Sequence, residues 1–390
     1  MCRKEDATNK GTITLIAVGD LIIDRDEPTT IFDHVVNVLR SGDITFANCD
    51  QAYSDKGSPY VGLIGGPFYR VLPSDPKNIT ALVYAGLDVV SFANNHTMDF
   101  GPEALLDSID RLHSEGIQVV GAGKNIAEAR QPVILEKKGN RVGFLAYGCV
   151  GPESTEATEN RAGHVPIRAW TIYKQVDYQP GNPPQIITLA YKDDLSAMEQ
   201  DIRKLRSQVD VVVVSFHWGL HHIPAQIPMY EFELGHAAID AGADIILGGH
   251  AHILKGIEVY KGKVIFHALN NFAVEFHGRD MNSVKMAIAE RAERGCHAYY
   301  EPDPEYPADH RQPEARATII AKVIIERGEI QKVSYVPCYE NKKAEPEIVT
   351  RSDPKGNEVF TYVEKISRSQ NLSTNFVWEG DDVVISAGSM

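Results

Sequence analysis

Gly249-His-Ala-His252 sets two imidazoles two residues apart behind a glycine, which lets the backbone bend until both rings reach one side. Four other places carry residue types of the same chemistry: Asp20, Asp50, the pair Asn95-His96, and His217. Imidazole nitrogen with carboxylate and amide oxygen is a donor set that suits zinc, manganese, iron or nickel. Taken singly, each has an ordinary explanation. A lone buried histidine commonly just finds a hydrogen-bond partner, and a lone aspartate after a strand can cap a turn. The shared position of all of them, each following an apolar run rich in β-branched residues, is what points to a metal site.

The elements that must position these groups alternate. Residues 12–18, 43–48 and 89–93 read as strands running into Gly19-Asp20, Asp50 and Asn94-Asn95-His96. Residues 211–216 and 244–247 read as strands running into His217 and Gly248-Gly249-His250. Helical spacing occupies 31–40, 78–85, 104–114, 195–208 and 229–241 between them. Two hairpins are expected, at 132–147 around Lys138-Gly139-Asn140 and at 257–268 around Lys261-Gly262. This alternation predicts a layered α/β protein with a parallel component, and in such sheets the carboxyl ends of strands converge on the binding crevice. Two stretches, about 151–191 and about 279–314, lack periodicity and are read as ordered functional loops. Trp170, Tyr173, Tyr178 and Tyr191 in the first are expected to wall the pocket.

At this level of detail the chain resembles the CapA family of poly-γ-glutamate synthesis proteins, a branch related to calcineurin-like metallophosphoesterases. The residues that carry the resemblance are Val18-Gly-Asp20, Phe46-Ala-Asn-Cys-Asp50, Ala93-Asn-Asn-His96 with Asp99 and Gly101, Gly121-Ala-Gly123, His217-Trp-Gly219, Gly249-His-Ala-His252 and Leu269-Asn-Asn-Phe272, in order over residues 12–275. The resemblance implies a four-layer αββα sandwich with two mixed sheets. It implies Asp20, Asp50, Asn95, His217, His250 and His252 around one or two divalent metals, zinc or manganese, with Asp50 bridging. His96 would stand near the leaving atom, oriented by Asp99. The sequence departs from the phosphoesterase pattern at Asp20-Leu21-Ile22, where those enzymes carry Asp-x-His. His221 and His222 are candidate pocket residues, and His267 and Asn271 candidate supporting partners. Asp24 and Asp26 read as an acidic surface loop. Residues 11–340 are taken as one domain with inserts at about 151–191 and 279–314, and 341–390 as an extension packing on it.

Bulk composition narrows the partners. The 390 residues are 43% hydrophobic and 24% charged, enough for a sizeable core. A net charge of −14 argues against nucleic acid or an anionic membrane as the main partner. No apolar run approaches the ~20 residues needed to span a bilayer. Cys2, Cys49, Cys149, Cys296 and Cys338 show no CxxC spacing, so neither a zinc ribbon nor a disulfide framework is expected. The expected location is the cytoplasm, the alternative an extracytoplasmic lipoprotein whose leader has been removed.

The expectation is a metal-dependent hydrolase whose activated water cleaves an ester, amide or phosphoester of a small or peptide-like substrate, including γ-glutamyl compounds. Two readings of other classes stand beside it: a capsule-polymer synthesis or export component, and a noncatalytic binding module with a degenerate metal site.

Overall fold

Alternation along the first strand, β1 (Ile13–Ile22), sets the layering. Neighbouring side chains of a strand point to opposite faces. Leu15 and Ala17 enter one apolar cluster, while Ile16 and Val18 enter another. The computed structural model describes residues 10–60, 72, 74–177, 181–276, 281–293, 299–308 and 311–388.

The chain continues through α1 (Val36–Leu39), β2 (Ile44–Cys49), α2 (Ile79–Ala85), β3 (Val89–Ser91), α3 (Gly101–Ser114), β4 (Gln118–Val120), β5 (Ala122–Gly123), α4 (Ile126–Ala129), β6 (Val133–Lys137) and β7 (Asn140–Gly148). Next come β8 (Gly163–His164), β9 (Ala169–Lys174), β10 (Gln185–Ala190), α5 (Lys192–Arg206), β11 (Val211–His217), α6 (Met229–Ala241) and β12 (Ile245–Gly249). The remainder holds β13 (Ile257–Tyr260), β14 (Lys263–Phe266), β15 (Asn271–Val274), α7 (Met281–Glu293), β16 (Ala317–Glu326), β17 (Glu329–Glu340), β18 (Pro346–Ile348), α8 (Pro354–Ser369), β19 (Thr374–Glu379) and β20 (Asp382–Ala387).

Ten strands form the larger sheet, in the order β19-β20-β17-β16-β1-β2-β3-β4, with β15 beside β1 and β18 beside β17. β1 to β4 run parallel, and β16 lies antiparallel to β1. The smaller sheet, β13-β14-β12-β11-β7-β6, is parallel at its centre and antiparallel at both edges. Phe46 of one sheet and Phe144 of the other stack at 5.9 Å between ring centroids, inside the cluster that the two sheets bury together. α2 and α3 cover the outer face of the larger sheet with Leu82, Leu105, Ile109 and Leu112. The last three recur at helical spacing, which buries one stripe of α3. α5 and α6 cover the smaller sheet with Met198, Ile202 and Leu234. The result is the expected four-layer α/β sandwich with two mixed sheets. α8 adds Val359, Val363 and Ile366 to the cluster between the sheets, and β20 pairs with β17. No helix among the described residues is long and apolar enough to cross a membrane.

Several elements differ from the sequence reading. β1 does not stop at Gly19-Asp20. It bulges there and runs on to Ile22 beside β15, with Asp20 opposite Asn271. Gly19 permits this, because a Cβ at that position would lie 1.8 Å from the carbonyl oxygen of Asn270. The helix expected over 31–40 is a 3-10 turn (Pro28–Phe32) followed by the single turn of α1. The stretch 279–314 contains α7, whose docked stripe is only Val284 and Ile288, too thin a pattern to stand out. The stretch 151–191 contains the β9–β10 hairpin, in which Trp170 lies 5.3 Å from Tyr191 and stays exposed. Tyr178 and the thiols Cys2 and Cys296 lie outside the described residues. Cys49, Cys149 and Cys338 are free.

Candidate metal centre

Asp20 leaves the bulge of β1 with both oxygens engaged. Oδ1 accepts from Asn48 Nδ2 at 2.8 Å, and Oδ2 accepts the backbone N–H of His250 at 2.9 Å. Asp50 follows β2, and Asn94-Asn95-His96 follow β3. His217 ends β11, and His250 and His252 follow β12. All six candidate ligands therefore meet where the parallel strands of both sheets end.

They form two groups that share Asp50. Donor atoms of Asp20, Asp50 and His252 all lie within 4.8 Å of one another. In the second group His217 Nε2 is central, 2.7 Å from Asn95 Oδ1, 3.2 Å from His250 Nδ1 and 3.5 Å from Asp50 Oδ1. His250 and His252 both adopt left-handed backbone, with φ of 80° and 53°. Strain of this kind persists where surrounding structure enforces it, and it clusters at functional sites. Gly249 is needed for close approach, since a Cβ there would sit 2.6 Å from Asp20 Oδ1 and 3.3 Å from His217 Nδ1.

The electrostatics fit a divalent cation. Burial, reinforced by the charge of Asp50, pushes Asp20 up to about 8. Burial pushes Asp50 up to about 6, against the opposing influence of His96. Burial and the neighbouring imidazoles hold His217 and His250 well below the ordinary histidine range, which leaves them neutral, as metal ligation requires. Among the described residues neither carboxylate oxygen of Asp50 has a hydrogen-bond partner, nor does Asn271 Nδ2. A buried carboxylate with no donor is costly unless a cation faces it.

His96 and Asp99 also come together: His96 Nδ1 lies 2.9 Å from Asp99 Oδ2, which also accepts the backbone N–H of Leu72 at 2.8 Å. Ile22 belongs to an apolar cluster with Leu72 and Val274, so the first strand contributes no imidazole. Asn271 supports His252, its Oδ1 standing 2.5 Å from Nδ1. His267 is not a supporting partner of the metal cluster. It is buried beyond Trp218, 3.3 Å from Glu231 and 3.2 Å from Glu258, because the strand leading to it turns its side chain toward α6. Asp26 is exposed, as expected of a surface loop. The sequence reading missed Asn48, Asn94 and Arg311. Asn94 Oδ1 accepts the backbone N–H groups of His96 and Thr97, and Arg311 donates to the carbonyl of His252 at 3.2 Å. The available signal for the two asparagines was their place in the runs Asn48-Cys49-Asp50 and Asn94-Asn95-His96.

The model of the family described as bacterial capsule synthesis protein PGA_cap matches residues 14–275, an interval that spans both sheets' contributions to this cluster. The chain belongs to this family. It is 27% identical over 271 residues to the capsule biosynthesis protein CapA of Bacillus anthracis, covering 67% of this chain and 60% of that protein. It is 28% identical over 205 residues to the PGA biosynthesis protein CapA of Bacillus subtilis, covering 52% and 47%. The chain thus spans less than two thirds of the length of these PGA_cap relatives. Among solved structures it is similar to the calcineurin-like phosphoesterase YfkN of Bacillus subtilis, with a TM-score of 0.42 and 14% identity over 93% of this chain and 99% of that one.

Proposed function

We propose that this PGA_cap chain is a metal-dependent hydrolase acting on an ester, amide or phosphoester of a small or peptide-like substrate. The supporting observation is Asp50, buried with no hydrogen-bond partner among the described residues, between two groups of neutral and anionic donors. Asp20, Asp50 and His252 would hold one zinc or manganese ion, and Asp50, Asn95, His217 and His250 a second. A divalent cation there supplies Lewis acidity and brings the pKa of water toward neutrality. The chain's own residues do the rest. Asp99 fixes the His96 ring through Nδ1, so Nε2 is the atom that delivers a proton to the leaving group.

The test is elemental analysis of the purified chain with a hydrolysis screen over phosphodiester, ester and γ-glutamyl amide substrates. Bound metal with turnover of one class supports the reading. A chain that holds no metal, and is indifferent to replacement of His250, is instead a noncatalytic binding module.

A second reading draws on the relatives, whose names place them in capsule and PGA biosynthesis. There the same centre would handle γ-glutamyl chains during polymer synthesis or export. Turnover confined to the γ-glutamyl amide arm, with longer oligomers preferred, favours that role.

A further inference from the structure

Exposed apolar side chains gather on one hairpin. Of the eleven large hydrophobic residues exposed among the described residues, six lie on or beside β9 and β10: Trp170, Ile172, Tyr173, Val176, Ile186 and Leu189. Exposed apolar residues scattered singly need no explanation, whereas a cluster of them marks a surface that something covers.

The hairpin rests on α6 through its second strand. The backbone N–H of Ala190 donates to Glu233 Oε2 at 2.7 Å, and that of Tyr230 to Thr188 Oγ1 at 3.2 Å. No strand among the described residues pairs with the outer edge of β9. Sheet edges are ordinarily protected by a proline, a bulge or several charges. β9 has no proline, its register with β10 is unbroken from Ala169 to Lys174, and its one charge, Lys174, stands at its end.

The apolar residues occupy both faces of the hairpin. Alternation puts Trp170 and Ile172 on one face, with Leu189 opposite Trp170, and Tyr173 on the other, with Ile186 opposite it. A body packed against one face would leave the other in water. A strand added along the edge flanks both faces at once and pairs with the outward backbone groups.

We propose that the added strand is β9 of a second copy of this chain, so that two hairpins join antiparallel into one four-stranded sheet. Antiparallel pairing of a strand with its own copy is self-complementary, as a two-fold interface requires. Centred on Ile172, it sets Trp170 of each copy beside Lys174 of the other, an ammonium against an indole, and keeps the two lysines apart. Charge permits the approach: residues 169–190 carry only Lys174 and Asp177, no net charge, in a chain of net −14. Size permits it too. By their exposures the six residues present roughly 700 Å² per copy, comparable with the ~800 Å² that each partner gives to a standard interface.

Sedimentation equilibrium of the full chain tests this and should give a mass near twice 43.1 kDa. Ile172→Lys places two ammonium groups face to face across the axis and should weaken association about tenfold or more, with the circular dichroism unchanged. Ile172→Val should associate as the wild type does. Ile172→Cys brings two thiols to the spacing of directly opposed strand residues and should give a disulfide-linked dimer on mild oxidation. Ile186→Cys, on the other strand, should not. If Ile172→Lys does not fold, the crosslink alone decides. A wild-type mass of 43.1 kDa throughout the micromolar range overturns the proposal, as does a dimer that survives Ile172→Lys or that Ile172→Cys does not link. A monomer that floats with neutral phosphatidylcholine vesicles assigns the hairpin to lipid and overturns it equally.

Discussion

Asp20 Oδ2 accepts the backbone N–H of His250 at 2.9 Å, across 230 residues of chain. The same carboxylate is a candidate ligand and a strut between the central strand of one sheet and the end of β12 in the other. A strut of this kind carries a charge that the fold tolerates only when it is neutralised.

Stability without metal should therefore depend on pH in a definite direction. Asp20, raised from 3.8 to about 8, leaves the folded chain holding a proton that the unfolded chain has lost. Stability from such a group falls as pH rises toward 8. The depressed histidines act oppositely, but only below their ordinary value of 6.5. The melting temperature of the metal-free chain should thus decline between 6.5 and about 8, and saturating manganese should flatten that decline. A metal-free profile that rises over this window would contradict the assignment.

Ligands and proton donor should separate by assay. His217→Ala and His252→Ala should lose metal and turnover together. His96→Ala should keep its metal while kcat drops by roughly 10²–10⁴-fold, the usual worth of a general acid. Asp99→Asn should fall between His96→Ala and the wild type. Wild-type turnover in His96→Ala would remove His96 from the mechanism.

Arg311 is buried against Glu340 at 3.0 Å while it donates to the His252 carbonyl. Arg311→Met removes one partner of a buried ion pair and should cost about 3–5 kcal/mol of stability, read by denaturant titration. Adding Glu340→Leu should recover most of the loss, yet metal affinity should stay weakened, because the His252 carbonyl remains without its donor. Equal metal affinity in the double variant and the wild type would show that Arg311 serves stability alone.

His267 provides the contrasting case. Burial opposes its charge, but Glu231 and Glu258 outweigh burial and raise it above the ordinary histidine range. A histidine raised this way contributes stability below 6.5 and loses it as pH climbs through the raised value. His267→Gln should lower the melting temperature more at acidic than at alkaline pH and leave metal content intact. Metal loss without a change in melting temperature would place His267 at the centre after all.

The strands were legible because β-branched runs and their polar ends stand out, so that 211–216 matches β11 to within one residue; helical spacing at 229–241 matches α6 residue for residue. The six candidate ligands could be collected because each follows such a run. The bulge at Asp20 was not legible, since Gly-Asp is an ordinary turn signal and only the Asn270 carbonyl, 250 residues away, explains it. Arg311 was hidden for the same reason. Its partners, His252, Asn270 and Glu340, are fixed by tertiary docking and leave no local pattern. His267 was misjudged because a histidine in a late strand reveals its residue type but not the face it turns to.

The placement of β16 also bears on synthesis. β1 is translated well before β16, yet it lies between β2 and β16 in the finished sheet, with Ile13 opposite Ile325. Over Ile13–Ala17 its other edge stays open until β16 has been translated, whereas Asp20–Ile22 pair with the earlier β15. By then every candidate ligand, through His252, has long emerged. Pairings this distant close slowly, so the nascent chain exposes two clustered carboxylates and several histidines before their scaffold is complete, and its demand for a cation begins ahead of its final fold.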